Sequence, residues 1–364
     1  MARSGRPPLC LLSVPTANPS PQPQQSPQSS QSAIDTSIVL ATCSRAALLL
    51  GALESLISQA SDPSHPIKIG IEIIVVDDLS TDETPAVLAE FQHSSQVPFT
   101  VLQGAGQGVA AARNLGSERA AGTWLASFDD DQIALPGWLH NLRELADATG
   151  AACVGGALAL QFPDGFAIDS IGPRTRGVLG EHLHGDAPIR YANGLLPATN
   201  NVLIRRDVFT ALGGYDTSFV EGAEDTDFFK RVAAAGHQLW FQPASKALHI
   251  TPASRLQRGN LRWTSLRLGA SDARVAQREL PFFAPLKLAA VRLIVAVVRD
   301  LPQLLLAKFR GGPSAPRAIT DVLCSLWYTQ GLLRSLPSVL FPGLFQSRFM
   351  RSLDFRTRNG ERSG

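Results

Sequence analysis

The stretch IEIIVVDDLSTDETPAVLAEFQ, residues 71–92, decides how this chain folds. Its opening run of Ile and Val reads as a strand, and the run stops at two carboxylates, Asp77 and Asp78. Ser80 and Glu83 then stand in capping-box spacing, with Pro85 early in the helix that follows. The same unit recurs on both sides. SIVLAT (37–42) precedes the helical RAALLLGALESLISQA (45–60). FTVLQG (99–104) leads through a Gly-rich GAGQG loop (104–108) to VAAARNLGSERAA (109–121), stopped by Gly122, and TWLASF (123–128) is a fourth strand. Strands alternating with helices predict an α/β protein: a mostly parallel sheet flanked by helices, with ligands outside the carboxyl ends of the strands. Every polar cluster met so far falls at such an end.

The second half is less regular. ACVGGALAL (152–160) reads as a strand, residues 161–195 as loop, NNVLIRRDVFTALGGYD (200–216) as strand and helix, and EGAEDTDFFKRVAAAGHQLWF (221–241) as an acidic turn, helix and strand. No internal repeat is evident.

At 364 residues and 45% hydrophobic content the chain can bury a large core. Its net charge of +2 conceals an asymmetry: from Thr251 to Gly364 there are 18 Lys/Arg against 6 Asp/Glu, so this third carries +12 and the first 250 residues −10. Such a split suggests a basic surface with an anionic partner. Cys10, Cys43, Cys153 and Cys324 lack zinc-site spacing and are expected to be reduced. The Arg-bearing start has a short apolar run broken by prolines, which is not the pattern of a secretory signal. Residues 1–35, rich in Pro, Gln and Ser, are expected to be disordered.

FDDDQ (128–132) crowds Asp129, Asp130 and Asp131 at a strand end, where like charges need water or a cation. On an extended strand, residues i and i+2 face the same way, so Asp129 and Asp131 could serve one hard ion, magnesium or manganese. A wet, helix-capping turn explains the spacing equally well. Glu224, Asp225 and Asp227 likewise read as ordinary charge at a helix start. Asp77 and Asp78 read as a turn or as a nucleotide contact at the sheet's crevice. Arg45 and Arg113, near helix starts, are placed either to meet a diphosphate or to make surface ion pairs.

Taken in order, TCSRAALLLGALESL, EIIVVDDLSTDET, GQGVAAARNLGSERAAGTWLASFDDDQIALPGWL and LGGYDTSFVEGAEDTDFFKRVAAAGHQLWFQPASKALH closely resemble the family 2 glycosyltransferases of the GT-A fold, over roughly residues 36–270. The resemblance implies an inverting transferase that uses a nucleotide-diphosphate sugar, most often of UDP, with Mn2+ or Mg2+. It puts Asp77 or Asp78 beside the base, groups Thr42, Arg45 and Asp130 with the nucleotide-sugar contacts, and turns Arg113 toward the diphosphate, with Asn114 structural. Asp129 is implied near the ribose and with Asp131 and His249 at the cation. Asp225 is implied as catalytic base, with Glu224 as an acceptor or helix-start contact. Two departures stand out. Ala41, Thr42, Cys43 and Ser44 replace an aromatic-bearing segment at the first strand end. Leu79 replaces a Gly, so that turn is expected to avoid positive φ.

Residues 271–364 read as a basic amphipathic helical tail. In APLKLAAVRLIVAVVRDLPQLLLAKFR (284–310), Arg292, Arg299 and Gln303 fall near one stripe and leave a broad apolar face. No charge-free run is long enough to span a bilayer, so the stretch suggests a helix in a membrane interface; a subdomain packed on the sheet is the alternative. QRGNLRW (257–263) resembles acceptor-side segments of some members, which implicates Arg262 and Trp263. The expected acceptor is a glycan or a lipid-linked sugar at a cytoplasmic membrane face, with no nucleic-acid partner. A nucleotidyltransferase should carry a Gly-rich basic loop after its first strand, and ATCSRAALLL has no glycine. A binding or scaffolding protein of the same fold would bind the nucleotide without turnover.

Overall fold

All seven residues of β2 (Ile71–Asp77) are buried, the mark of a strand covered on both faces. It lies beside β1 (Thr36–Thr42), and the connection from β1 is α1 (Ala46–Ser58). Onward come α2 (Thr84–Ser94), β3 (Phe99–Gln103), α3 (Val109–Arg119), β4 (Trp124–Phe128), β5 (Gln132–Ala134), α4 (Trp138–Thr149), β6 (Cys153–Gln161) and α5 (Pro173–Val178). They are followed by β7 (Ile189–Arg190), β8 (Asn201–Arg205), α6 (Arg206–Ala211), α7 (Glu224–Ala234) and β9 (Leu239–Ile250). The C-terminal part is helical: α8 (Arg258–Glu279), α9 (Phe283–Val295), a π-helical turn (Ala296–Asp300), α10 (Leu301–Arg310), α11 (Ala315–Leu340) and α12 (Arg348–Arg351).

This computed structural model describes Met1 and residues 34–61, 69–192, 194–280, 282–311, 315–342 and 348–354. Residues 2–33 of the expected lead-in, Cys10 among them, lie outside the described residues. Residues from Ile34 onward form one compact unit. Cys43, Cys153 and Cys324 are free thiols.

The sheet runs in the order β3-β2-β1-β4-β8-β6-β9-β5, with β7 on β9. β1 to β4, β6 and β9 point one way, while β8, β5 and β7 run against them. The mostly parallel sheet is therefore present, with β8 inverted at its centre. One face packs Ile38, Leu40, Ile73 and Val75 under Leu49, Leu53 and Leu56 of α1. The other buries Leu125, Val202 and Ile204 under Val208, Phe228 and Phe229 of α6 and α7. Truncating any of these large residues to Ala would cost about 2–5 kcal/mol. β9 absorbs Pro243 in a bulge where its pairing with β6 jumps from Gln242 to Lys246.

Two expectations about the first loops fail. Ser80 and Glu83 form no capping box. Instead Asp82 accepts from the Ala46 and Thr84 amides, serving the starts of α1 and α2 together, and the Ser80 hydroxyl accepts from the Ser44 amide at 2.8 Å. The loop after β2 thus caps the helix after β1 as well as its own, which a cap search within one segment does not find. Leu79, expected to avoid positive φ, sits at φ 65°.

The boundary expected at residue 270 falls inside α8, a continuous 22-residue helix. α8 and α11 cross backbone to backbone. A Cβ on Gly269 would lie 2.0 Å from the Tyr328 carbonyl oxygen, and one on Gly331 2.0 Å from that of Leu266. Only glycine fits either place. From α11, Asp321 caps α5 by accepting from the Thr175 amide at 2.9 Å and the Thr175 hydroxyl at 2.6 Å.

Candidate active site

The shared carboxyl edge of β1, β2, β4 and β9 opens into a cleft of about 870 Å³. Thr42, Asp78, Asp129, Asp225 and His249 are among its walls, each from a different strand end or helix start.

Asp130 and Asp131 form a turn before β5 and not an extended strand end, so the three aspartates diverge. Asp129 accepts from Arg113 Nη2 at 2.6 Å. Asp130 accepts from the Thr42 hydroxyl at 2.7 Å and from Arg45 Nη1 at 2.9 Å. Asp131 shares that Arg45 nitrogen at 2.8 Å, takes Arg255 Nη2 at 2.8 Å, and lies 3.4 Å from His249 Nε2. Where Asp129 and Asp131 were expected to serve one ion together, Asp129 is held by Arg113 and Asp131 by Arg45 and Arg255. It is Asp131 and His249 that approach each other, and no three-residue His/Cys/Asp/Glu metal group exists among the described residues. Burial and the Asp131 charge push Asp130 up to about 6, against the pull of Arg45. Burial also opposes ionisation of Asp131, but its His249 hydrogen bond with Arg45 and Arg255 outweighs burial and holds it far below the usual carboxylate range.

Asp78 faces the cleft, yet both its oxygens are occupied. Oδ1 accepts from the Gly106 amide at 2.7 Å and Oδ2 from that of Gly108 at 3.0 Å. The Gly-rich loop therefore wraps a carboxylate of this chain, and a Cβ on Gly104 would meet that carboxylate at 2.3 Å. Asp77 is buried and receives the Ser80 amide at 3.0 Å. Both acids shape the loops around the cleft.

Arg113, one turn into α3, is buried and donates from Nη1 to Glu224 Oε1 at 2.9 Å while holding Asp129 with Nη2. Both terminal nitrogens are thus engaged by carboxylates, so it ties the β4 end to the start of α7 where a diphosphate contact was expected. Asn114 is structural as expected, exchanging hydrogen bonds with the Tyr215 backbone. Glu224 is buried, and burial with the charge of Asp225 pushes it up to about 7 despite Arg113. Asp225, half-buried at the cleft, accepts from the Thr226 amide at 2.7 Å through Oδ1. Ala223 precedes them at φ 77°. The only non-glycine residues with positive φ among those described are Ser44, Leu79 and Ala223, each adjoining the cleft loops. Strain held at such points is characteristic of sites that need a fixed geometry.

Arg262 is exposed and outside the cleft, whereas Trp263 lines it with Arg267 stacked on its ring at 5.5 Å. Arg255, which meets both Asp131 and His249 Nε2, the latter at 3.2 Å, was missed in the sequence reading. Its one signal was its place six residues after His249. Asp272 of α8 was also missed; it lines the cleft and accepts from the Tyr328 hydroxyl at 2.5 Å.

Asp131 and His249 pass a test of donor chemistry for a divalent cation: one carboxylate and one imidazole suit Mn2+ when phosphate oxygens complete the shell. The ring nitrogen nearest Asp131 is Nε2, which also meets Arg255 Nη1, while Nδ1 is buried without a partner on the side of Gly180.

A mostly parallel sheet with acidic turns at its carboxyl edge and a large cleft defines a GT-A-type nucleotide-sugar fold. The family described as glycosyl transferase family 2 matches residues 37–206, and glycosyltransferase like family 2 matches residues 183–266. This chain belongs to the family 2 glycosyltransferases. It is 29% identical over 209 residues to the succinoglycan biosynthesis protein ExoM of Rhizobium meliloti (strain 1021), covering 56% of this chain and 63% of the relative. To a glucosyl-dolichyl phosphate glucuronosyltransferase of Haloferax volcanii it is 28% identical, covering 46% of this chain and 50% of the relative. The chain thus spans half to somewhat under two thirds of these relatives' lengths. The solved mannosyltransferase PcManGT of Pyrobaculum calidifontis, in complex with GDP-Man and Mn2+, shares the fold with a TM-score of 0.50 at 15% identity, covering 87% of this chain and 78% of that one.

Proposed function

We propose that this chain transfers a sugar, with inversion, from a nucleotide-diphosphate donor to a hydroxyl of a glycan or lipid-linked acceptor at the cytoplasmic face of a membrane. The observation that carries the reading is the cleft itself. Asp129 to Asp131 wall one side, Glu224 and Asp225 the other, and Arg113 bridges the two groups.

Asp225 is the base. As the acceptor hydroxyl oxygen attacks the anomeric carbon, its proton passes to the Asp225 carboxylate, and the bond from that carbon to the diphosphate oxygen breaks. Positive charge on the sugar grows as this bond loosens. The departing nucleotide diphosphate carries the new negative charge, and Arg45 and Arg255 stand where Asp131 and His249 meet to receive it. A divalent cation held by Asp131 and His249 supplies further charge stabilisation when bound. Mn2+ is favoured over Mg2+ by the imidazole, and the Mn2+ of the mannosyltransferase complex agrees. A UDP-sugar is the donor the motif resemblance favours. The lipid-linked acceptor draws support from the relative named for a dolichyl phosphate substrate.

Calorimetric titration of UDP and of GDP, each with and without Mn2+, tests the donor half directly. Binding of one nucleotide that needs Mn2+ and weakens at least tenfold in Asp131→Ala supports it; equal binding by the variant without metal refutes the site.

A further inference from the structure

The helical stretch from Phe283 to Arg310 is folded inside out for water. The side it turns to the protein is mostly small or polar: Pro285, Ala289, Ala296 and Asp300 are buried and Arg292 half-buried, with Leu288 the one large apolar residue packed on the core there. Arg292 donates to the Ser325 hydroxyl at 2.8 Å and lies over the Tyr328 ring at 4.8 Å. Asp300 accepts from the Ser325 hydroxyl at 2.6 Å and from Arg299 Nε at 2.8 Å. The side turned away is apolar: Phe283 is 72% exposed, Ile294 62%, Val298 72% and Phe309 85%, with Val297 and Leu305 between them. A helix on a water-soluble surface shows the opposite arrangement. The π turn lies just before Pro302, whose ring cannot tolerate the carbonyl four residues back, and helical backbone continues through it from Phe283 to Arg310.

We infer that this face docks in the headgroup region of an anionic lipid bilayer, which deepens the membrane part of the function proposed above. Charge selects the occupant. Lys287, Arg299, Lys308 and Arg310 are exposed along the stretch, and its sole acid, Asp300, is buried and paired. Cations with long stems can sink their methylenes into the interface while meeting lipid phosphates. No described helix is long and apolar enough to cross a membrane, and a helical stretch with one broad apolar face lies along the surface. The docking also orients the cleft. From the buried side of the helical stretch, Arg292 meets Tyr328, and Tyr328 donates to Asp272 in the cleft wall. That wall thus lies two side chains from the bilayer-facing helix, where a lipid-linked acceptor arrives.

The test is flotation of the full chain with phosphatidylcholine vesicles, with and without phosphatidylglycerol. The wild type is expected to float with the anionic vesicles, and Ile294→Glu and Val298→Glu to lose at least tenfold in bound fraction while keeping the wild-type circular dichroism. Phe309→Ser, a milder change, is expected to fall between. Absence of flotation by the wild type, or unchanged flotation by all three variants, overturns the inference. So does a wild-type dimer that Val298→Glu converts to monomer without any lipid binding, since a second copy then covers the face. Nucleotide binding measured on the same samples separates this from the donor assignment: flotation without nucleotide binding strikes only the latter.

Discussion

Arg113 and Glu224, 111 residues apart in sequence, form a buried ion pair at 2.9 Å that joins α3 to the first turn of α7. Removing one member of such a pair strands the other in a poorly solvated site, at a cost of about 3–5 kcal/mol. Arg113→Met is therefore expected to lower the urea midpoint sharply. Arg113→Met combined with Glu224→Gln should recover part of the loss, and a double-mutant cycle measures the coupling.

Glu224 gives stability a defined pH dependence. Its folded pKa is raised from the ordinary 4.5 to about 7, by burial first and the Asp225 charge second. A carboxyl that holds its proton more tightly when folded contributes fully below the ordinary Glu value and loses that contribution as pH rises through about 7. The unfolding free energy of the wild type should accordingly fall across that window relative to Glu224→Gln. Parallel curves for the two proteins between about pH 5 and 7 would show that Glu224 is ionised throughout.

Ala223 and Leu79 hold left-handed backbone that costs an L-residue about 1–2 kcal/mol. Ala223→Gly removes the strain while adding unfolded-chain entropy, so a net gain of about 0.5–1 kcal/mol is expected. Thermal melts should show the rise, and nucleotide affinity should fall if the strain holds Glu224 and Asp225 in place.

Gly331→Val would drive a side chain into the Leu266 carbonyl, against two helix backbones that cannot yield separately. A loss of about 3 kcal/mol or more is expected, beyond ordinary overpacking. Gly177→Val, on a glycine with open space at its Cβ, is the control that should cost much less.

The fold was legible because its signal is local. Apolar β-branched runs ended by acids, each followed by a helix, gave β1 to β4 and α1 to α3 in place. Apolar runs gave β6, β8 and β9 as well, whereas the three-residue β5 and the two-residue β7, the latter inside a stretch read as loop, are too short to show a period. What escaped was decided by contacts distant in sequence. Asp82 caps two helices from two segments, so Ser80 and Glu83 looked like a local cap. Which way each of Asp129, Asp130 and Asp131 turns is set by Arg113, Arg45 and Arg255, from three separate elements. Periodicity likewise set Arg292, Arg299 and Gln303 on one stripe of residues 284–310, but of these only Arg292 packs inward, against Ser325 and Tyr328, while Arg299 and Gln303 are exposed.

The most direct test of the central claim is steady-state release of nucleotide diphosphate, at saturating Mn2+ and donor, by the wild type and by Asp225→Asn. The account predicts wild-type turnover with at least one sugar nucleotide and a fall in kcat of roughly 10²–10⁴ in the variant, with donor KM little changed. Undiminished turnover by Asp225→Asn would contradict it.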